Sequence, residues 1–158
     1  MAGYGEDNGF TAWLADNGLA LPANPLAVAV LRQRGSSYID GLYGPKFSGQ
    51  PTGGLAQERA WPRTGAEAFG QSIPSDLVPN AIIQASYAAA YQEAISPGSL
   101  SVAASASGAI KREKVADLEV EYVAGSGDAV ADSTLRLSQV EGLLAPFFAV
   151  SLPAVFVA

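Results

Sequence analysis

Residues 45–78 constrain the fold more than any other part of the chain, because they carry no hydrophobic period and interrupt segments that do. They are rich in Gly, Pro, Ser and Thr. A structureless loop of this length is unusual inside a compact domain and is often functional. Ahead of it, Phe10, Trp13 and Leu14 stand at i, i+3 and i+4 and predict a short helix over 10–19, with Gly18 as its stop. Asn24-Pro25 then reads as an N-cap and first-turn proline. The helix they open keeps its period through Ala27, Val30, Leu31, Tyr38 and Leu42 and ends at Gly44-Pro45. Gly35 inside it costs about 1 kcal/mol against Ala, which predicts close packing at that point.

Behind the loop, Pro79 starts a third helix that runs to about Ile95 and stops at Pro97-Gly98. Ala81, Ala85, Ala88 and Ala89 give it a side of small residues, on which a neighbouring helix can approach closely. Ile82, Ile83, Tyr87 and Tyr91 supply bulk around that side. Ser99–Gly108 reads as a flexible lead-in to a hairpin over about 109–123. With a turn at Ala116-Asp117, Lys114 faces Glu119 and Arg112 faces Glu121, two opposite-charge pairs on one face. Val115, Leu118, Val120 and Tyr122 share the other. Ser138-x-x-Glu141 has the form of a capping box opening a last short helix, with Val140, Leu143, Leu144 and Phe147 apolar and Pro146 limiting its length. The fold expected is mainly α: a small bundle of about four helices with a projecting β-hairpin, a long Trp-Pro loop and an extended C-terminal arm.

The composition narrows the chemistry. A chain of 158 residues buries one core without staples. It has no Cys and no His, so thiolate metal sites, Cys nucleophiles and Ser-His-Asp arrangements are excluded. Gly125-Ser126-Gly127 lacks the third glycine and the distal acidic residue of a dinucleotide loop. Asp128 and Asp132 lack the alternating donors of a Ca²⁺ loop. The reading is therefore of a protein that is not an enzyme, with no catalytic, cofactor or metal residues. A net charge of −6 makes tight nucleic-acid binding depend on clustered cations, and Lys111, Arg112 and Lys114 form the one candidate patch. Glu113, Asp117, Glu119 and Glu121 cancel it locally, leaving a solvated hairpin, a protein-contact ribbon and a DNA clamp as its readings. Charged residues are only 15% of the chain, which predicts partial cover by other protein. Met1–Asp7 has no signal-peptide pattern, and no apolar run reaches the ~18–20 residues of a membrane span.

Two stretches resemble one family. Gln57-Glu58-Arg59-Ala60-Trp61-Pro62-Arg63 and the charged hairpin from Lys111 to Tyr122 occur in the order found in head–tail adaptor (connector) proteins of tailed bacteriophages. The likeness covers roughly residues 1–148, and some relatives are likened by name to the DnaT primosomal protein, which implies single-stranded DNA binding. The resemblance implies a single helical adaptor domain over 1–148 and a homo-oligomeric ring, dodecameric in the family, beneath the portal protein. Such a ring extends the channel for passing double-stranded DNA, without binding it specifically, and docks a downstream neck or tail protein. The implied place is the neck of the virion, assembled in the bacterial host cytoplasm. The alternative is a single-stranded DNA-binding accessory protein of phage replication. Within this reading Trp61, Pro62 and Arg63 anchor the loop, Trp61 by its apolar area. Lys111, Arg112, Lys114, Glu119, Glu121 and Tyr122 form an interaction hairpin. The uncharged arm over 149–158, with Val150, Leu152, Val155, Phe156 and Val157, reaches a portal or ring neighbour.

Overall fold

The computed structural model describes residues 2–101, 112–115, 118–121 and 135–149. The fold is mainly α. Among the described residues the helices are α1 (Asp7–Asp16), α2 (Val28–Tyr43), α3 (Asn80–Ile95) and α4 (Ser138–Leu144). α2 and α3 form the centre. Gly35 of α2 lies against α3 so closely that a side-chain carbon built on it would sit 2.7 Å from the Ala90 nitrogen, the close packing that a glycine in mid-helix implies. The small side of α3 buries Ala85, Ala88 and Ala89 in the main core, beside Ile39, Tyr43, Ile82, Val140 and Leu144. A second cluster, Phe10, Leu14, Leu31, Tyr87, Ala90 and Ala94, holds α1 onto the other side of α2 and α3.

Helix ends depart from expectation for local reasons. α1 begins a turn earlier than Phe10, since Glu6 C=O accepts the Phe10 N–H at 3.0 Å and Asp7 suits the positive end of the helix dipole. It closes in a Schellman motif, with Leu19 N–H on Leu14 C=O and Gly18 N–H on Ala15 C=O, and Gly18 at φ +66. Asn24-Pro25 does not open α2. Asn24 takes φ +54, a left-handed turn that Asn tolerates, and the helix starts three residues beyond the proline, at Val28. The expected capping box at Ser138 does not form either: Leu137 occupies the N-cap without a side-chain bond. Glu141 is instead drawn to the Tyr43 hydroxyl, at 3.2 Å, and to Arg136, at 3.3 Å.

Residues 45–78 are structured, in contrast to the loop expected. β1 (Gln50–Pro51) pairs antiparallel with β2 (Arg63–Thr64), and β3 (Glu67–Ala68) with β4 (Gln71–Ser72). Two-residue ladders are too short to leave an alternating pattern in the sequence. Short 3₁₀ turns at Gly44–Lys46 and Gly54–Ala56 complete the segment. The C-terminal 3₁₀ turn Ala145–Phe147 returns to it: Phe148 bridges Phe47, Ser48 N–H donates to Phe147 C=O, and Ala149 N–H donates to Lys46 C=O at 2.8 Å. Ala149, placed at the head of the arm by the sequence, is thus tied to the domain by its backbone.

Candidate functional site

The Gln57–Arg63 motif folds into a knot at the surface of the bundle. Gln57 bridges it: its carbonyl oxygen accepts Gly53 N–H at 2.8 Å, and its amide donates to the carbonyls of Arg59 and Pro62. The Trp61–Pro62 peptide is cis. Trp61 is 1% exposed and packs edge-on against Phe47 and Phe147. Its backbone N–H donates to the Tyr4 hydroxyl, which itself donates to Asp40. Burial, reinforced by the Asp40 charge, raises the Tyr4 phenol above its ordinary value, so it stays a neutral donor. Pro62 is half-buried, and its C=O accepts Thr52 N–H at 3.1 Å as well as the Gln57 amide.

Arg63 is buried without a carboxylate partner among the described residues. Its guanidinium donates instead to four carbonyls: Ser48 at 2.8 Å, Gly49 at 2.7 Å, Ala60 at 3.1 Å and Phe47 at 3.3 Å. Burying a cation is costly unless its donors are satisfied, and this fork fits four backbone acceptors. Burial lowers the Arg63 pKa from its ordinary value, yet an arginine remains charged.

The other arginines of the bundle are clamps too. Arg32 binds the carbonyls of Gly3, Tyr4 and Gly5 and pairs with Asp7 at 2.7 Å, fixing the N-terminal segment to α2. Arg59 holds Ala2 C=O, Ser37 and Asp40. Arg34 pairs at 2.6 Å with Glu93, a carboxylate 2% exposed that also accepts the Gly98 and Leu100 N–H groups and so closes the turn after α3. Arg136 pairs with Glu141. The largely buried guanidiniums of Arg32, Arg59 and Arg63 are directed at the protein's own carbonyls and carboxylates, which leaves them poorly placed to neutralise phosphate. Arg34 and Arg136 are paired but about half exposed. No local pattern marks the Arg59 clamp, and the one hint of the Arg32 clamp is a cation among periodic apolar positions, beside Leu31.

Of the expected hairpin, β5 (Arg112–Val115) and β6 (Leu118–Glu121) pair in the register the charges imply, Arg112 opposite Glu121 and Lys114 opposite Glu119. Lys111, Tyr122 and the turn Ala116-Asp117 lie outside the described residues. So do Gly125-Ser126-Gly127, Asp128, Asp132 and the arm residues Val150, Leu152, Val155, Phe156 and Val157.

Among the described residues, a cleft of about 330 Å³ surrounds the Arg34–Glu93 pair, and another of about 290 Å³ lies between α1, α3 and the start of α4. Among the described residues no group of acidic side chains is placed to hold a metal ion, and no helix is long and apolar enough to cross a membrane. Leu55 and Phe69 are the most exposed large apolar side chains described.

Residues 4–157 match the model of a family described as "Putative DnaT-like ssDNA binding protein", and the chain belongs to that family. No curated protein and no solved structure matches the chain.

Proposed function

We propose that this member of the DnaT-like family is a structural virion protein, a head–tail adaptor. Its copies form a ring beneath the portal, extend the DNA channel and dock the next neck or tail component. The observation that carries this reading is the inward use of the arginines: Arg32, Arg59 and Arg63 stabilise the bundle through its own carbonyls, and Arg34 through Glu93. A chain of net charge −6 built this way suits assembly by shape and apolar contact better than phosphate binding. The resemblance of the Gln57–Arg63 motif and the charged hairpin to the adaptor proteins supports the same reading. In it the protein is no enzyme and takes no cofactor. Ring neighbours pack heterologously, and the β5–β6 hairpin and the apolar arm reach beyond the subunit. Co-sedimentation of the purified chain with portal protein tests it: a saturable complex is expected, and none would contradict the adaptor role.

The second reading rests on the family's description. A single-stranded DNA-binding accessory protein of phage replication would use a basic strip with stacking aromatics. Lys111, Arg112, Lys114 and Tyr122 are the residues of this chain with that chemistry. Fluorescence anisotropy of labelled oligonucleotides at several salt concentrations separates the two. The adaptor reading expects no affinity above the non-specific level at physiological salt. Sub-micromolar binding that falls steeply with salt would favour the second.

A further inference from the structure

Phe69 is exposed over 84% of its surface at the tip of the β3–β4 hairpin. Its φ is +53 and that of Gly70 is +73, so both central residues of a two-residue turn are left-handed. That is the type I′ pattern, which favours Asn, Asp or Gly. A bulky side chain at positive φ strains the backbone, and this ring gains little burial against the described residues to offset the strain. Packing among the described residues therefore does not account for a phenylalanine here.

We propose that Phe69 is an apolar anchor that docks into the cleft between α1, α3 and the start of α4 of a neighbouring copy. Trp13, Leu19, Tyr91, Ile95, Leu137 and Val140 line that cleft of about 290 Å³, and none of its described lining residues is charged. Ile95 at its edge is half exposed. Two copies that each carry −6 repel, so they meet most favourably where both surfaces are neutral. The tip residues Ala68, Phe69, Gly70 and Gln71 are uncharged as well. The hairpin's one charge, Glu67, is negative, so nothing on it attracts phosphate and a protein pocket suits Phe69 better than a nucleic-acid base. Tip and cleft are different surfaces of one chain, which makes the contact heterologous, the kind that closes into a ring when the rotation is right.

The inference rests on the ring reading, and its test separates the two. Benzoylphenylalanine in place of Phe69 in the full chain, irradiated and mapped by mass spectrometry with isotope-labelled and unlabelled copies mixed, is expected to link to peptides carrying Trp13, Tyr91 or Ile95 of another copy. Phe69→Asn keeps the turn, because Asn tolerates the left-handed region. It is expected to keep or slightly raise the melting temperature, since Asn relieves the strain, and to weaken self-association by about tenfold, the effect of a central aromatic anchor. If the wild-type chain self-associates but Phe69→Asn does so equally and no cross-link enters the cleft, the docking inference is overturned while the ring stands. If the wild-type chain stays monomeric even with portal protein, the ring reading falls and takes the inference with it. Cross-links from position 69 to an added oligonucleotide would overturn it in favour of base stacking.

Discussion

Trp61 and Phe147 meet edge to face, their ring centroids 5.8 Å apart and their planes at 87°. Through this pair a motif from the middle of the chain is locked to its C-terminal turn. Trp61→Ala should destabilise the domain by ~3–5 kcal/mol, the range for a large buried aromatic. The indole N–H finds no acceptor among the described residues, so Trp61→Phe should cost distinctly less. Denaturant unfolding of the two variants checks both statements; equal losses would mean that the indole nitrogen is bonded after all.

Two glycines of α2 should respond with opposite sign. Gly35→Ala places a methyl carbon against the backbone of Ser86 and Ala90, which cannot give way cheaply, and should cost ~1–3 kcal/mol. Gly41 is exposed and meets nothing within 4 Å, so Gly41→Ala should stabilise by about 0.4–1 kcal/mol. Thermal melts decide it. A neutral Gly35→Ala would show that α2 and α3 are not in close backbone contact.

The helices were legible in the sequence because their apolar residues repeat over several turns, as Phe10 and Leu14 or Ala85 and Ala89 do. The β5–β6 register was legible from alternating charge. What the sequence hid has two physical causes. Ladders of two residues, such as Gln50–Pro51 on Arg63–Thr64, leave no period. Side chains that bond the backbone at long range also leave no local pattern, which is why the carbonyl contacts of Arg32 and Arg59 are not legible there. The failed capping box at Ser138 is a third case, in which Tyr43 and Arg136 compete for the Glu141 carboxylate that the box required.

Glu93 should make stability depend on pH in acid. Burial by itself raises its carboxyl pKa, but the hydrogen bonds from Gly98 N–H, Arg34 and Leu100 N–H outweigh burial and hold it below its ordinary value near 4.5. A group depressed on folding contributes fully above its unfolded value, and the contribution is lost as pH falls towards the folded one. Glu93→Gln should therefore be less stable than wild type at pH 7 by roughly 1.5–3 kcal/mol, the worth of hydrogen bonds to a charged group. The gap should narrow below about pH 4.5. Melting curves of both proteins across pH 3–7 measure it, and a constant gap would mean that the Glu93 pKa is not shifted by folding.

Removing residues 150–158 should leave the melting temperature nearly unchanged, because the last described tie, Ala149 N–H to Lys46 C=O, survives the cut. The same truncation should abolish association with ring or portal neighbours. Loss of helical circular dichroism in the truncated chain would instead assign the arm to the core.

The mass of the purified chain, alone and mixed with portal protein, bears most directly on the adaptor account and is best measured by native mass spectrometry. The account predicts a ring-sized multiple of the 16.2 kDa subunit, formed on the portal if not in free solution. A chain that remains a 16.2 kDa monomer in the presence of portal protein would contradict it.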